Sequence, residues 1–179
     1  MFQFTDIHLA DAKIITLPSF NDDRGNFTKT FHDGLLKENG VDFTLRESYY
    51  SISKRDVIRG MHFQTPPHQH AKIVFCPRGA ILDVIIDLRK NSLTYGQYLS
   101  QELSEQNHLA FYIPEGFAHG FKSLTADAVT YYLVSSEYSK EHDTGIRYDS
   151  FGFNWDVQGP IISDRDQSFV TLDKFTTPF

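Results

Sequence analysis

Apolar residues in this chain come in short runs separated by turn signals, and that spacing most narrows the folds open to it. The runs are Ala12–Leu17, Phe27–Phe31, Lys72–Cys76, Ala80–Leu88, Leu109–Ile113 and Ala128–Val134. Each has the length of a strand, and a succession of short strands with turns between them predicts an antiparallel sandwich or barrel. Pro77-Arg78-Gly79 lies between two of the runs. It is expected to close a hairpin that pairs Lys72–Cys76 with Ala80–Leu88, Gly79 supplying a backbone angle that other residues resist. Helical periodicity is scarce, and Asp33 to Asn39, ending at Gly40, is the best candidate for a helix. No repeat, low-complexity tract or linker interrupts the sequence. Residues 1–179 therefore read as a single domain, long enough to bury a core without disulfide or metal staples.

Composition removes several function classes. A hydrophobic fraction of 40% with 15% aromatics and 22% charged residues describes a packed globular protein rather than a disordered one. The net charge of −6 argues against nucleic-acid binding, which needs lysine and arginine in clustered excess, so any phosphate must be met by local cations. No apolar stretch is long enough to span a bilayer, and the opening residues MFQFTDIHLADAK lack the basic-then-apolar pattern of a signal peptide. A cytoplasmic protein without membrane partners is expected. Cys76 is the only cysteine and sits in the apolar run Ile73 to Cys76. It can form no intrachain disulfide and reads as a small buried hydrophobe whose thiol is kept protonated.

Chemistry-bearing residues concentrate around the histidines, of which there are eight. His8, His32, His108 and His142 read as structural or surface residues. Two groups differ: Arg59-Gly60-Met61-His62-Phe63-Gln64 followed by His68-Gln69-His70, and Pro114-Glu115-Gly116-Phe117-Ala118-His119-Gly120. They resemble the two halves of the cupin signature. Metal cupins complete their ligand set with a glutamate soon after the first histidines, and here Val74 and Phe75 occupy that place, so no metal is expected. His68 and His70, following Pro66-Pro67, read as structural or rim residues of a strand-entry loop.

These motifs belong to a longer series that resembles the nucleotide-sugar 3,5-epimerases typified by dTDP-4-dehydrorhamnose 3,5-epimerase. The matching blocks are Asp22-Asp23-Arg24-Gly25, Val57 to Gln64, Ala71-Lys72-Ile73-Val74, Ile81 to Arg89, Ile113 to Phe121 and Gly145-Ile146-Arg147, in family order across nearly the whole chain. The resemblance implies an all-β cupin-type jelly-roll barrel with a few short helices, working as a homodimer without a cofactor. It implies epimerisation at C3, C5 or both of a nucleotide-linked 4-keto-6-deoxy sugar, as in the biosynthesis of deoxysugars for surface polysaccharides. Roles carry over by position: His62 as base, Asp166 as the carboxylate that orients it, Tyr132 as the acid on the opposite face, and Lys72 as the cation near the C4 oxygen. Arg59 and His119 are expected along the sugar and phosphate, with Gln64 in the same block, and Tyr138 at a pocket position. Arg24 is expected at the nucleotide across the dimer, with Phe27 and Lys29 in the segment that follows.

These residue types suit the reaction. A hydrogen on carbon beside a ketone is too weakly acidic for neutral imidazole unless the enolate is stabilised, so a base and a positive partner at oxygen are both needed. A carboxylate behind the imidazole fixes its tautomer and favours its protonated form. Inversion then needs a proton from the other face, which a phenol opposite the base can deliver.

The chain also departs from the family's usual pattern. Lys29 stands where a glutamate is common, Glu47 and Tyr49 where a Gln-x-Asn pair is common, and Phe75 where arginine is common. These positions are expected to contact substrate, which leaves the base open to cytosine or guanine as well as thymine. Two other classes of function compete with the epimerase. One is a metal-dependent cupin isomerase or dioxygenase using His68, His70 and His119, and the other a non-catalytic sugar-nucleotide binding module.

Overall fold

A computed structural model describes residues 1–179 as two packed antiparallel sheets with a small separate hairpin. With strands numbered in chain order, the six-stranded sheet runs β1 (Gln3–Asp6), β2 (Lys13–Thr16), β10 (Leu109–Ile113), β7 (Lys72–Arg78), β12 (Ala128–Val134), β5 (Glu47–Ser53). The five-stranded sheet runs β13 (Asp143–Gly145), β6 (Ile58–Gln64), β11 (Phe117–Ser123), β8 (Ala80–Asp87), β9 (Tyr98–Ser104). β3 (Ser19–Asp22) and β4 (Gly25–Thr28) pair only with each other. This is the all-β jelly-roll arrangement expected. Helix is confined to α1 (Asp33–Glu38), α2 (Asp164–Ser168) and one 3-10 turn at Leu172–Lys174, and no helix is long and apolar enough to cross a membrane.

Strand side chains alternate between faces, and here both faces are covered over the central strands β7 and β8. Val74 and Cys76 of β7, Ile81 and Ile85 of β8, and Phe117 and Phe121 of β11 fill the space between the sheets. Their neighbours Ile73 and Phe75 turn outward and are covered by Leu36 of α1 with Val41 and Phe43. Outward Val84, Ile86 and Leu88 are covered by the C-terminal segment through Ile146, Phe151 and Trp155. Double coverage explains why Lys72–Cys76 and Ala80–Leu88 are almost continuously apolar instead of alternating with polar residues. Cys76 is buried as expected, and that burial pushes its thiol up to about 12.

The helix over Asp33 forms where expected, capped by the His32 ring, which accepts from the Leu35 N–H. The run expected over Phe27–Phe31 ends as a strand at Thr28. The hairpin expected at Pro77-Arg78-Gly79 does not form. Gly79 adopts the turn, with φ of 77°, but β7 and β8 belong to different sheets, so the chain passes from one layer to the other there. Local turn chemistry could not reveal this, because β7 is instead satisfied by β10 and β12 on its two sides, and β8 by β9 and β11.

Gly60 shows what the Arg59-Gly60-Met61-His62 motif requires of the backbone. Its φ is 136°, and an added Cβ would lie 2.5 Å from the Gly120 Cα on β11. β6 and β11 can approach this closely only with glycine at both places. Gly60→Ala is expected to destabilise the fold by more than about 2 kcal/mol, from strain and forced separation of the strands. Urea unfolding would check this, and a variant within about 0.5 kcal/mol of wild type, the level of a neutral surface change, would contradict it.

Candidate functional site

Alternation also decides which polar groups enter the sandwich. On β6, Met61 and Phe63 join the outer cluster, so His62 and Gln64 turn inward. By the same count Lys72 accompanies Val74, Asp83 lies between Ile81 and Ile85, His119 between Phe117 and Phe121, and Tyr132 precedes Val134 by one repeat. The inner space is apolar in its middle and polar toward one end, where a cavity of about 380 Å³ opens. That volume falls within the range of small-molecule sites.

His62, Lys72, Tyr132, Glu47, Tyr49, Arg59, Gln64, His119 and Tyr138 all line this cavity. His62 and Tyr132 reach it from opposite sheets, β6 and β12. Asp166 stands behind His62, with its Oδ1 2.8 Å from the His62 Nε2 and its Oδ2 accepting from the Gly60 N–H at 3.0 Å. Local structure puts it there: Ser163 caps α2 by accepting from the Asp166 N–H, and the 56–58 and Ile161 segments are tied by two backbone bonds of 3.0 Å. Burial works against the Asp166 carboxylate, but the bonds from His62 and Gly60 outweigh it and hold the group below its usual range. An ionised carboxylate can only accept, so His62 donates from Nε2, which leaves Nδ1 as the nitrogen that can act as a base.

Lys72 is buried rather than an exposed strand lysine, and its Nζ donates to the His62 carbonyl at 3.2 Å. Burial lowers its amine to about 8, against the attraction of Asp143 and Asp83. Tyr132 stacks on Tyr49 with ring centres 4.8 Å apart, and burial raises its phenol well above the ordinary value. His119 meets the Tyr132 ring edge-on at 5.9 Å and bonds Asp83 at 2.8 Å. Burial of this pair pushes Asp83 up and His119 down, toward an uncharged couple. Arg59 bonds only neutral partners, the Ser53 hydroxyl and the Ile52 carbonyl, so its charge is uncompensated beside the cavity.

Arg24, expected at the nucleotide across a dimer, and Phe27 and Lys29 after it lie on or just after the β3–β4 hairpin, outside this chain's own cavity, with Arg24 paired to Asp22. Other placements differ from expectation. Phe75 points to the outer face of its sheet and stacks on Tyr131, so its departure from the family pattern does not bear on the cavity. His70, read as a rim residue, is a wall of the cavity, as are Ser51, Asp143 and Arg165, which carried no motif. Inward parity with Lys72 could have flagged His70, and a lone carboxylate within the apolar run Ile81 to Ile86 could have flagged Asp83. His68, His70 and His119 share no ligand site: the His70 Nδ1 faces Gln64, the His119 Nε2 faces Asp83, and no three His, Cys, Asp or Glu side chains converge as a metal set.

The family model for dTDP-4-dehydrorhamnose 3,5-epimerase matches residues 6–174. A dTDP-4-dehydrorhamnose 3,5-epimerase of Methanothermobacter thermautotrophicus is 40% identical, covering 96% of this chain and 95% of that one. The enzyme of the same name from Sinorhizobium fredii is 38% identical over 98% of this chain and 92% of its own. The crystal structure of the Bacillus anthracis dTDP-4-dehydrorhamnose 3,5-epimerase, with TDP and PPi bound, superposes with a TM-score of 0.93 at 36% identity, covering 96% of this chain and 100% of that one. With coverage this complete, and with the motif residues gathered around one cavity, the chain belongs to the dTDP-4-dehydrorhamnose 3,5-epimerase family of isomerases.

Proposed function

We propose that the protein inverts C3, C5 or both of a nucleotide-linked 4-keto-6-deoxy sugar, with thymidine diphosphate as the nucleotide. The observation that carries this reading is the approach of a carboxylate-backed imidazole and a buried phenol to one cavity from opposite sheets. The His62 Nδ1 removes the hydrogen beside the C4 carbonyl, and the bonding electrons pass to the carbonyl oxygen as an enolate. The Lys72 ammonium stabilises that charge, which is worth far more in a dry cavity than in water. Tyr132, kept protonated by burial, delivers its phenolic proton to the opposite face. His62 then returns its proton to solvent and the phenolate takes one back, which closes the cycle. Asp166 holds the imidazole in the required tautomer throughout.

The uncompensated charge of Arg59 suits the diphosphate, and His119, Gln64, Glu47, Tyr49 and Tyr138 serve the sugar and nucleotide. Thymine is favoured because the relatives are named for dTDP sugars. Arg24, Phe27 and Lys29 lie outside their own cavity, and the hairpin bears two exposed phenylalanines, Phe20 at 56% and Phe27 at 62%. Both facts support a homodimer in which the hairpin reaches the partner's cavity. We take residues 1–179 as one cytoplasmic domain requiring no cofactor.

Incubation with a dTDP-4-keto-6-deoxy sugar in deuterium oxide should place deuterium at C3, C5 or both, which also assigns the regiochemistry. His62→Ala should lower the exchange rate by at least about 10²-fold, as loss of a general base does. Exchange at the wild-type rate in that variant would remove His62 as base. Tyr132→Phe is expected to retain exchange at the abstracted position while losing net inversion.

Lys72 keeps its charge below about 8 and loses it as the pH rises through that value. The wild-type kcat/KM should therefore fall on the alkaline side near pH 8, whereas Lys72→Met should be slow with no such limb. A wild-type profile that stays flat well beyond pH 8 would contradict a role for the ammonium. Titration with dTDP, CDP and GDP tests the base, and tighter binding of CDP or GDP would reverse the choice of thymine.

A further inference from the structure

The two ring nitrogens of His70 are unequally satisfied. Nδ1 lies 3.0 Å from the side-chain nitrogen of Gln64. The backbone sets the orientation of that amide: its Oε1 accepts from the Ser139 N–H at 2.6 Å, and its Nε2 lies 2.8 Å from the His68 carbonyl and 3.2 Å from the Glu137 carbonyl. A flipped amide would set nitrogen against an N–H and oxygen against two carbonyls. The atom facing His70 is therefore the amide nitrogen, whose two hydrogens are shared among three acceptors and which cannot itself accept, so the His70 Nδ1 is the accepting partner.

An accepting ring nitrogen carries no proton. Burial, helped by the charge of Lys72, pushes His70 down to about 3, so the ring is neutral and its one proton resides on Nε2. That N–H is shielded from solvent and meets no acceptor in the protein, although His70 walls the same cavity as His62, Lys72 and Tyr132. A buried donor without a partner destabilises the fold, and a ligand oxygen that reached it would remove that cost.

The geometry points to the Nε2–H of His70 as a fixed hydrogen-bond donor to an oxygen of the bound sugar, acting beside Lys72 to orient the ring and select sugars bearing an acceptor there. The assignment rests on the epimerase reading of the cavity and adds a specificity-determining residue to it. A neutral imidazole is well suited to the place, since it adds no second cation beside Lys72 and donates without surrendering its proton to an oxygen that gains charge.

Two measurements test the assignment. Long-range proton–nitrogen correlation on histidine-labelled wild-type protein should show His70 as the neutral Nε2–H tautomer from pH 5 to 8, before any substrate is added. A ring that titrates in that range, or carries its proton on Nδ1, overturns the assignment whatever the kinetics. In turnover, His70→Phe should lose about 10- to 100-fold in kcat/KM for the sugar nucleotide, the cost of one donor, while binding dTDP within about twofold of wild type. His70→Gln, which retains a donor, should recover much of that loss. A His70→Phe enzyme with unchanged kcat/KM removes the role of His70 and leaves the epimerase standing. Wild-type protein that exchanges no hydrogen with any 4-keto-6-deoxy sugar nucleotide removes the epimerase and the sugar as occupant together.

Discussion

A polar side chain turned into the space between two packed sheets is costly to leave without a partner, and that cost organises most of this cavity, the His70 Nε2 and one oxygen of Asp83 being exceptions. Burying an unpaired polar group is costly, and an unpaired charge more so. Asp166 can therefore enter only with both oxygens engaged, one by His62 and one by the Gly60 N–H. Lys72 enters by leaning on the His62 carbonyl, and Asp83 by meeting His119. Each bond that lets a polar group into the sandwich also fixes its direction, so satisfying the fold and arranging the cavity are one process.

The contact between β6 and β11 makes this possible. Glycines at 60 and 120 let the strands come close enough for a side-chain Cβ to be excluded. The same approach sets His62 opposite His119 in register, while Gly145 flanks His62 on the other side. A larger residue at either glycine would separate the strands and carry His62 away from the carboxylate behind it. The glycines flanking the two histidines in the motifs are thus steric conditions on the histidines' positions.

Electrostatically the cavity is mixed. Lys72 and Arg59 bring positive charge to a chain whose net charge is −6, and only Arg59 stands without a carboxylate or a deep burial to moderate it. Burial moves Lys72 toward neutrality and holds Tyr132 protonated. Phe75 shows how far a strand position can mislead: a residue that departs from a family pattern lies one place from Val74 in sequence and on the other side of the sheet in space.

Spacing of apolar residues and turn residues, both local signals, were enough to show a chain of short strands with a helix ending near Gly40. The grouping of His62, Lys72, His119, Tyr132 and Asp166 came from the order of the family-like blocks along the whole chain. Packing in three dimensions settled that Pro77-Arg78-Gly79 joins two sheets rather than two strands of one, because pairing depends on which strands compete for each edge. It alone gave the expected pairing of Asp166 with His62 a geometry across 104 residues, turned Phe75 to the outer face, and left the buried Nε2 of His70, a residue of the cavity wall, without a partner. Each of these depends on groups far apart in the chain meeting in a closed space, and no local pattern encodes which groups those are.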